Sequence, residues 1–178
     1  MYYIVFDLEA TCWKHRDQTP NEIIEIGAVK VNAIGLIIDE FQSFVRPKVH
    51  PTLSDFCTQL TSISQEQIDQ APTFDQVIHD FKPWIGVGTE DYLLCSWGFY
   101  DRKQLRLDSD LFEMDKRWIN KHISVKHQHH KLANTSRPLG MAEALELEGI
   151  PLNGTHHRGI DDARNITRIF QKYFGLWK

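Results

Sequence analysis

Cysteine is scarce in this sequence: Cys12, Cys57 and Cys95 stand far apart, with no C-x-x-C pair. That argues against a disulfide framework or a cysteine zinc site, and free thiols lead us to expect a reducing, cytoplasmic setting. No stretch approaches the roughly 18 consecutive apolar residues of a membrane span, and the N-terminus lacks a basic flank and turns acidic at Asp7, so neither export nor anchoring is expected. Repeats, linkers and low-complexity segments are absent too. With 42% hydrophobic and 25% charged residues, disorder, collagen and coiled coil are ruled out. A chain of 178 residues fits one domain with a full core.

Acid is missing locally. From Lys116 to Ala142 there is no Asp or Glu, yet Lys116, Arg117, Lys121, Lys126, Lys131 and Arg137 fall there, with His122, His127, His129 and His130 among them. The whole chain carries a net charge of -4, which argues against nonspecific coating of nucleic acid. One basic stretch in an acidic chain reads as a solvated face or as a surface that holds phosphates. The histidine cluster lacks regular ligand spacing and nearby cysteine, so a solvated polar face is expected there rather than zinc.

What is present has a clear order. Tyr2 to Phe6 is an unbroken apolar run, the pattern of a strand buried on both faces, with an acidic exit. Ile23 to Val31 alternates and turns at Asn32 to Gly35 into Leu36 to Val45, a hairpin beside the first strand. Pro47 and Pro51 open a loop. Ser64 with Gln67 has the form of a capping box before a short helix, and Thr73 caps a longer one that carries Phe74, Val77, Ile78 and Phe81 and stops at Gly86. Tyr92 to Cys95 is a fourth strand, a polar helical stretch starts at Asp101, and Trp118 to Asn120 is a candidate fifth strand. Pro138 to Glu148 and a segment with Ala163, Ile166, Phe170 and Tyr173 are the last helices. This order predicts an α/β layered fold whose mixed sheet has antiparallel and parallel parts.

If the first strand continues through Glu9, Asp7 and Glu9 share a face about 6.6 Å apart. Unpaired, two carboxylates at a buried strand end repel and lose hydration, whereas divalent cations would satisfy both. A bare D-x-E also fits a solvated strand end. Asp101 alone fits a helix N-cap, and Asp161 and Asp162 alone are ordinary for a first helical turn.

In combination, F-D-L-E-A-T-C at Phe6 to Cys12, S-W-G-x-Y-D at Ser96 to Asp101 and H-x-G-x-D-D-A-x-N at His157 to Asn165 resemble the DEDDh 3′-to-5′ exonucleases. The motifs stand in family order over nearly the whole chain. With E-I-I-E-I-G-A-V at Glu22 to Val29, they look most like the Eri-type and KapD-like subgroup, which acts on RNA ends. The resemblance implies an RNase H-like fold and a single exonuclease domain over residues 1–178. It implies that Asp7, Glu9, Asp101 and Asp162 bind two divalent ions, Mg²⁺ with Mn²⁺ as the alternative. It also implies that His157 is the general base, with Glu9 beside it in catalysis, and that Leu8, Ala10 and Thr11 lie along the substrate. Tyr100 and Phe56 are candidates to stack on terminal bases, and Trp13 is a weaker one; core packing is the competing reading. Setting the four metal acids aside leaves equal numbers of acids and bases, so the basic stretch is free to hold phosphates. The expected partner is a single-stranded RNA or DNA 3′ end, with no membrane and no obligatory protein partner. A tyrosine-type relative would need Tyr at position 158, where this chain has Arg158. An inactive nucleic-acid-binding module of the same fold is the alternative function, disfavoured because all five positions are filled.

Two histidine registers satisfy H-x-x-x-x-D. Asp162 shares a helical face with Ile166 and Ile169, whereas Asp161 falls with Arg164, Asn165 and Arg168. Asp162 is therefore expected to point inward with His157 as its partner in the motif, leaving His156 as a loop residue and Asp161 to pair with Arg164 or Arg168.

Overall fold

The computed structural model describes residues 1–15 and 19–178, built around a five-stranded sheet in the order β3-β2-β1-β4-β5. β1 (Tyr2–Ala10), β2 (Ile23–Val31) and β3 (Ile37–Phe44) form an antiparallel meander. The β2–β3 turn is closed by Asn32, whose side-chain oxygen accepts the Ile34 and Leu36 amides. β4 (Tyr92–Ser96) and β5 (His122–Ser124) run parallel to β1 on its other side. The mixed sheet is the one the element order predicts. β1 does not end at Phe6, because Asp7, Leu8 and Glu9 stay paired with Gly27, Ile26 and Glu25.

Alternation along β1 separates two helical layers. Ile4, Phe6 and Leu8 pack beneath α3 (Phe74–Ile85), where Phe74, Val77, Ile78, Phe81 and Ile85 supply the buried stripe. Each such side chain contributes about 1.5 to 3 kcal/mol of burial. Val5 faces the other way, with Val29 and Val31, under α6 (Met141–Leu147) and α7 (Gly159–Lys172). Asp7 and Glu9 continue the Val5 face and so emerge on the α7 side of the sheet. Between β3 and α3 lie α1 (Asp55–Thr61), capped by Ser54, and α2 (Gln65–Asp69), capped by Ser64.

Several elements differ from the sequence expectation. Trp118 is not in a fifth strand; Arg117–Ile119 is a single 3₁₀ turn that drops Trp118 and Ile119 into the core, and the strand follows it at β5. Asp101 is not an N-cap but the second residue of α4 (Tyr100–Leu111), which begins after Phe99. α6 starts at Met141 rather than Pro138, since Gly140 is extended and its amide is capped by Glu143 at 2.8 Å. The polar stretch after β5 forms α5 (Val125–Leu132). It is not wholly solvated: His129 is fully buried, with Nε2 2.7 Å from Glu148. No described helix is long and apolar enough to cross a membrane.

Candidate active site

The parallel pairing of β1 with β4 sets the site, because it brings the exits of both strands to one edge. Asp7 and Glu9 leave β1 there, and the Ser96-Trp97-Gly98 turn delivers Asp101 in the first turn of α4. Asp162 arrives from the first turn of α7. All four carboxylates line one cleft of about 420 Å³, together with Leu8, Tyr100, Lys126 and both histidines of the loop before α7. Carboxylate oxygens of Asp7, Glu9 and Asp162 lie within 4.8 Å of one another.

Such crowding is costly without a counter-charge. Burial, then the neighbouring Asp101, Glu9 and Asp162, hold the Asp7 carboxyl well above its usual range. Burial and Asp162 raise Glu9 to about 8. Asp101 rises to about 6 through burial, opposed by hydrogen bonds that include one from Ser96. Asp162 is raised by burial and partly relieved by His156. A carboxylate cluster that resists ionisation is one that a divalent cation would stabilise.

α7 is seated on the sheet at two glycines. Gly27, opposite Asp7 in the ladder, has no room for a side chain, since a Cβ there would lie 2.1 Å from the Gly159 carbonyl carbon. Next to it, Glu25 is fully buried and lies opposite Glu9. Its carboxylate accepts the Gly159 amide at 2.9 Å, Gln42 at 2.7 Å and the Arg158 guanidinium at 3.1 and 3.3 Å. Sequence reasoning missed this clamp. Its one signal is a glutamate on the strand face that also carries Gly27 and Val29.

The clamp fixes the loop that carries the histidines. His157 sits at φ 64°, in the left-handed region, and its amide donates to Asp162 at 3.0 Å. The His156 ring is not a bystander: its Nδ1 is 3.0 and 3.1 Å from the two Asp162 oxygens, and it stacks on the His157 ring at 4.0 Å between centroids. Burial and then the adjacent His156 lower the His157 pKa. Asp161 turns outward to Arg164 at 3.1 Å and accepts the Thr155 amide at 2.9 Å.

The remaining expected residues divide. Leu8 and Tyr100 line the carboxylate cleft. Tyr100, Phe56 and Trp13 line an adjoining groove of about 590 Å³, and Tyr100 and Phe56 are exposed rather than packed in the core. Ala10 and Thr11 line neither; Thr11 is buried, with its hydroxyl accepting the Glu22 amide at 2.9 Å. Within the acid-free stretch, Lys116, Arg117, Lys121 and Arg137 are paired with Asp110, Asp115, Asp91 and Glu143. Lys126 faces the carboxylates.

Comparison with known proteins gives a consistent result. The RNase_T family model, described as Exonuclease, matches residues 4–170. The chain is 33% identical over 198 residues to ERI1 exoribonuclease 2 of Xenopus laevis, covering 94% of this chain and 28% of that protein. It is 36% identical over 180 residues to 3'-5' exoribonuclease 1 of Homo sapiens, covering 94% of this chain and 51% of that protein. It thus spans between a quarter and about half of these curated relatives. Among solved structures, the nuclease domain of 3'hExo, a DEDDh family member bound to rAMP, superposes with a TM-score of 0.90 at 33% identity, over 97% of this chain and 90% of that one. Product-bound exonuclease I, at 10% identity and a TM-score of 0.75 over 97% of this chain and 43% of that one, shares the fold.

Proposed function

Because the chain belongs to the RNase T-type exonuclease family, with the RNase H-like fold of the DEDDh nucleases, we propose that residues 1–178 act as one 3′-to-5′ exoribonuclease domain. It releases nucleoside 5′-monophosphates from single-stranded RNA ends. The observation that carries this reading is the convergence of Asp7, Glu9, Asp101 and Asp162 on one cleft with His157 at its edge. RNA is favoured over DNA because the relatives are exoribonucleases.

The donor set suits a hard divalent cation: the four acids offer carboxylate oxygen, and burial, joined at Asp7 and Glu9 by repulsion from neighbouring carboxylates, raises their pKa values. Asp7, Glu9, Asp101 and Asp162 would hold two such ions, of which magnesium is the natural one. When bound, the ions supply a more acidic attacking water and stabilisation of the departing 3′ oxygen. His157 accepts the water's proton, a task suited to an imidazole kept neutral at physiological pH. Lys126 takes a backbone phosphate, while Tyr100 and Phe56 offer stacking faces worth about 1 to 3 kcal/mol per base. Binding draws on few phosphate contacts and is salt-sensitive and sequence-tolerant.

The test is release of mononucleotide from 3′-end-labelled RNA and DNA oligomers of matched sequence, with magnesium and with excess EDTA. Metal-dependent release from RNA, slowed by a 3′ phosphate, is expected. Protection by a 5′ block alone would reverse the polarity, and activity in EDTA would remove the metal mechanism.

A further inference from the structure

Hydrolysis needs one base, yet the loop before α7 presents two imidazoles over one carboxylate. One ligand atom each from His156, His157 and Asp162 lie within 4.8 Å of one another, and the rings are stacked with 21° between their planes. Asp162 belongs to this triple and also to the Asp7, Glu9, Asp162 triple. The two triples differ in chemistry. Three carboxylates suit magnesium, which takes oxygen ligands, whereas two imidazoles and a carboxylate form the N,N,O set that zinc prefers.

We propose that His156, His157 and Asp162 form a second binding site, sharing Asp162 with the carboxylate cluster, for a borderline-soft transition-metal cation of the zinc class, and that filling it blocks hydrolysis by taking the His157 nitrogen that would accept the proton. The blocking half rests on the function proposed above; the binding half does not. Three observations support the site. His156 lies at the cleft and its side chain keeps 41% of its surface open to water, so a cation reaches it directly from solvent. Tetrahedral zinc with bonds near 2.0 to 2.1 Å places its ligand atoms about 3.3 Å apart, so the triple closes by at most about 1.5 Å, within side-chain rotation. The local field favours a dication: Asp7, Glu9 and Asp101 lie in the same cleft, Arg158 is already paired with Glu25, and among the described residues lining the cleft Lys126 is the one opposing cation.

Zinc is titrated into the chain in saturating magnesium, with uptake followed by competition against a chromophoric chelator and by the visible absorption of cobalt used in zinc's place. Nuclease rate is read in parallel. Wild type should bind one zinc with an intense four-coordinate cobalt spectrum. His156→Ala and His156→Asn should keep the magnesium-supported rate within a few-fold, bind zinc at least roughly tenfold more weakly, and need at least roughly tenfold more zinc for half inhibition. Equal zinc affinity in wild type and the His156 variants, or a weak octahedral cobalt spectrum, overturns the site. Zinc uptake that requires His156 but leaves the rate untouched overturns the blocking role. Such uptake in a chain with no magnesium-supported hydrolysis overturns the proposed function while keeping the site.

Discussion

Glu25 and Arg158 meet across 133 residues of chain, with the guanidinium 3.1 and 3.3 Å from a carboxylate that has no solvent exposure. The pair stands between the strand that carries the Glu9 partner position and the loop that carries His157, so it is the joint on which the geometry of the cleft depends. Removing one member of a buried pair costs ~3 to 5 kcal/mol. The Arg158 side chain keeps 20% of its surface in water and can partly rehydrate, which places the loss near the low end. Glu25→Gln should therefore destabilise by about 3 kcal/mol in urea unfolding, and the double variant Glu25→Gln/Arg158→Gln should lose less than the two single losses combined. Strict additivity would mean that the two side chains are not coupled.

The carboxylate cluster makes stability depend on pH and metal together. Glu9 titrates near 8 in the folded chain, against an ordinary value of 4.5, so its contribution is full below the ordinary value and is lost as pH rises through 8. Asp101, raised to about 6, acts in the same direction at lower pH. His122, lowered to about 4 by burial and then by Arg102, acts oppositely below its ordinary 6.5, under the pH range in which Glu9 titrates. The rise in Tm on adding magnesium should therefore grow from about pH 6 to about pH 8.5 in scanning calorimetry. Asp7→Asn, which removes a repelling buried carboxylate, should melt higher than wild type in EDTA at the alkaline end and lose turnover by orders of magnitude. A magnesium shift that is flat in pH would contradict the raised carboxylate pKa values.

How much of this was legible in the sequence depends on the range of the interactions. Period-two alternation places Asp7 and Glu9 on one face, and the limits of β2 are readable at Ile23 and Val31 because its burial pattern is local. α3 is readable from Thr73, Gly86 and the stripe between them. α1 is not, since it buries only Cys57 and Thr61, and α5 is masked by its histidines, which leave only Val125 and His129 buried. The motifs name the four acids, but that Glu25 is buried follows from a partner at the far end of the chain, which no local pattern reveals. The contact of His156 with Asp162 depends on how a left-handed His157 folds the loop back, and a register argument treats that loop as featureless.

The two lysines most readily assigned to substrate binding separate on the helix. Lys126 lines the carboxylate cleft, while Lys131, five residues further along α5, points about 140° away around the helix axis. Lys126→Glu should raise the Michaelis constant several-fold and flatten its salt dependence, with saturated turnover little changed. Lys131→Glu should leave both alone. Measuring rates across a salt series separates them, and equal effects would place the substrate along the whole basic stretch.

Of the two loop histidines, His157 is the one placed to move the proton. His157 is partly buried at the cleft, and its lowered pKa keeps the ring neutral and able to accept a proton at a pH where an ordinary histidine is charged. The acid limb of the pH–rate profile should accordingly fall below the ordinary histidine range. Substitution has to respect the backbone, because at φ 64° most side chains are strained whereas asparagine is tolerated. His157→Asn should thus keep the loop and its amide bond to Asp162, bind metal nearly as well as wild type, and lose ~10² to 10⁴ in single-turnover rate. His156 touches Asp162 from the solvent side, and its replacement by alanine should cost no more than a few-fold under magnesium alone. If His156→Ala loses more than His157→Asn, the proton passes through the outer ring, and the assignment of the base moves one residue back along the loop.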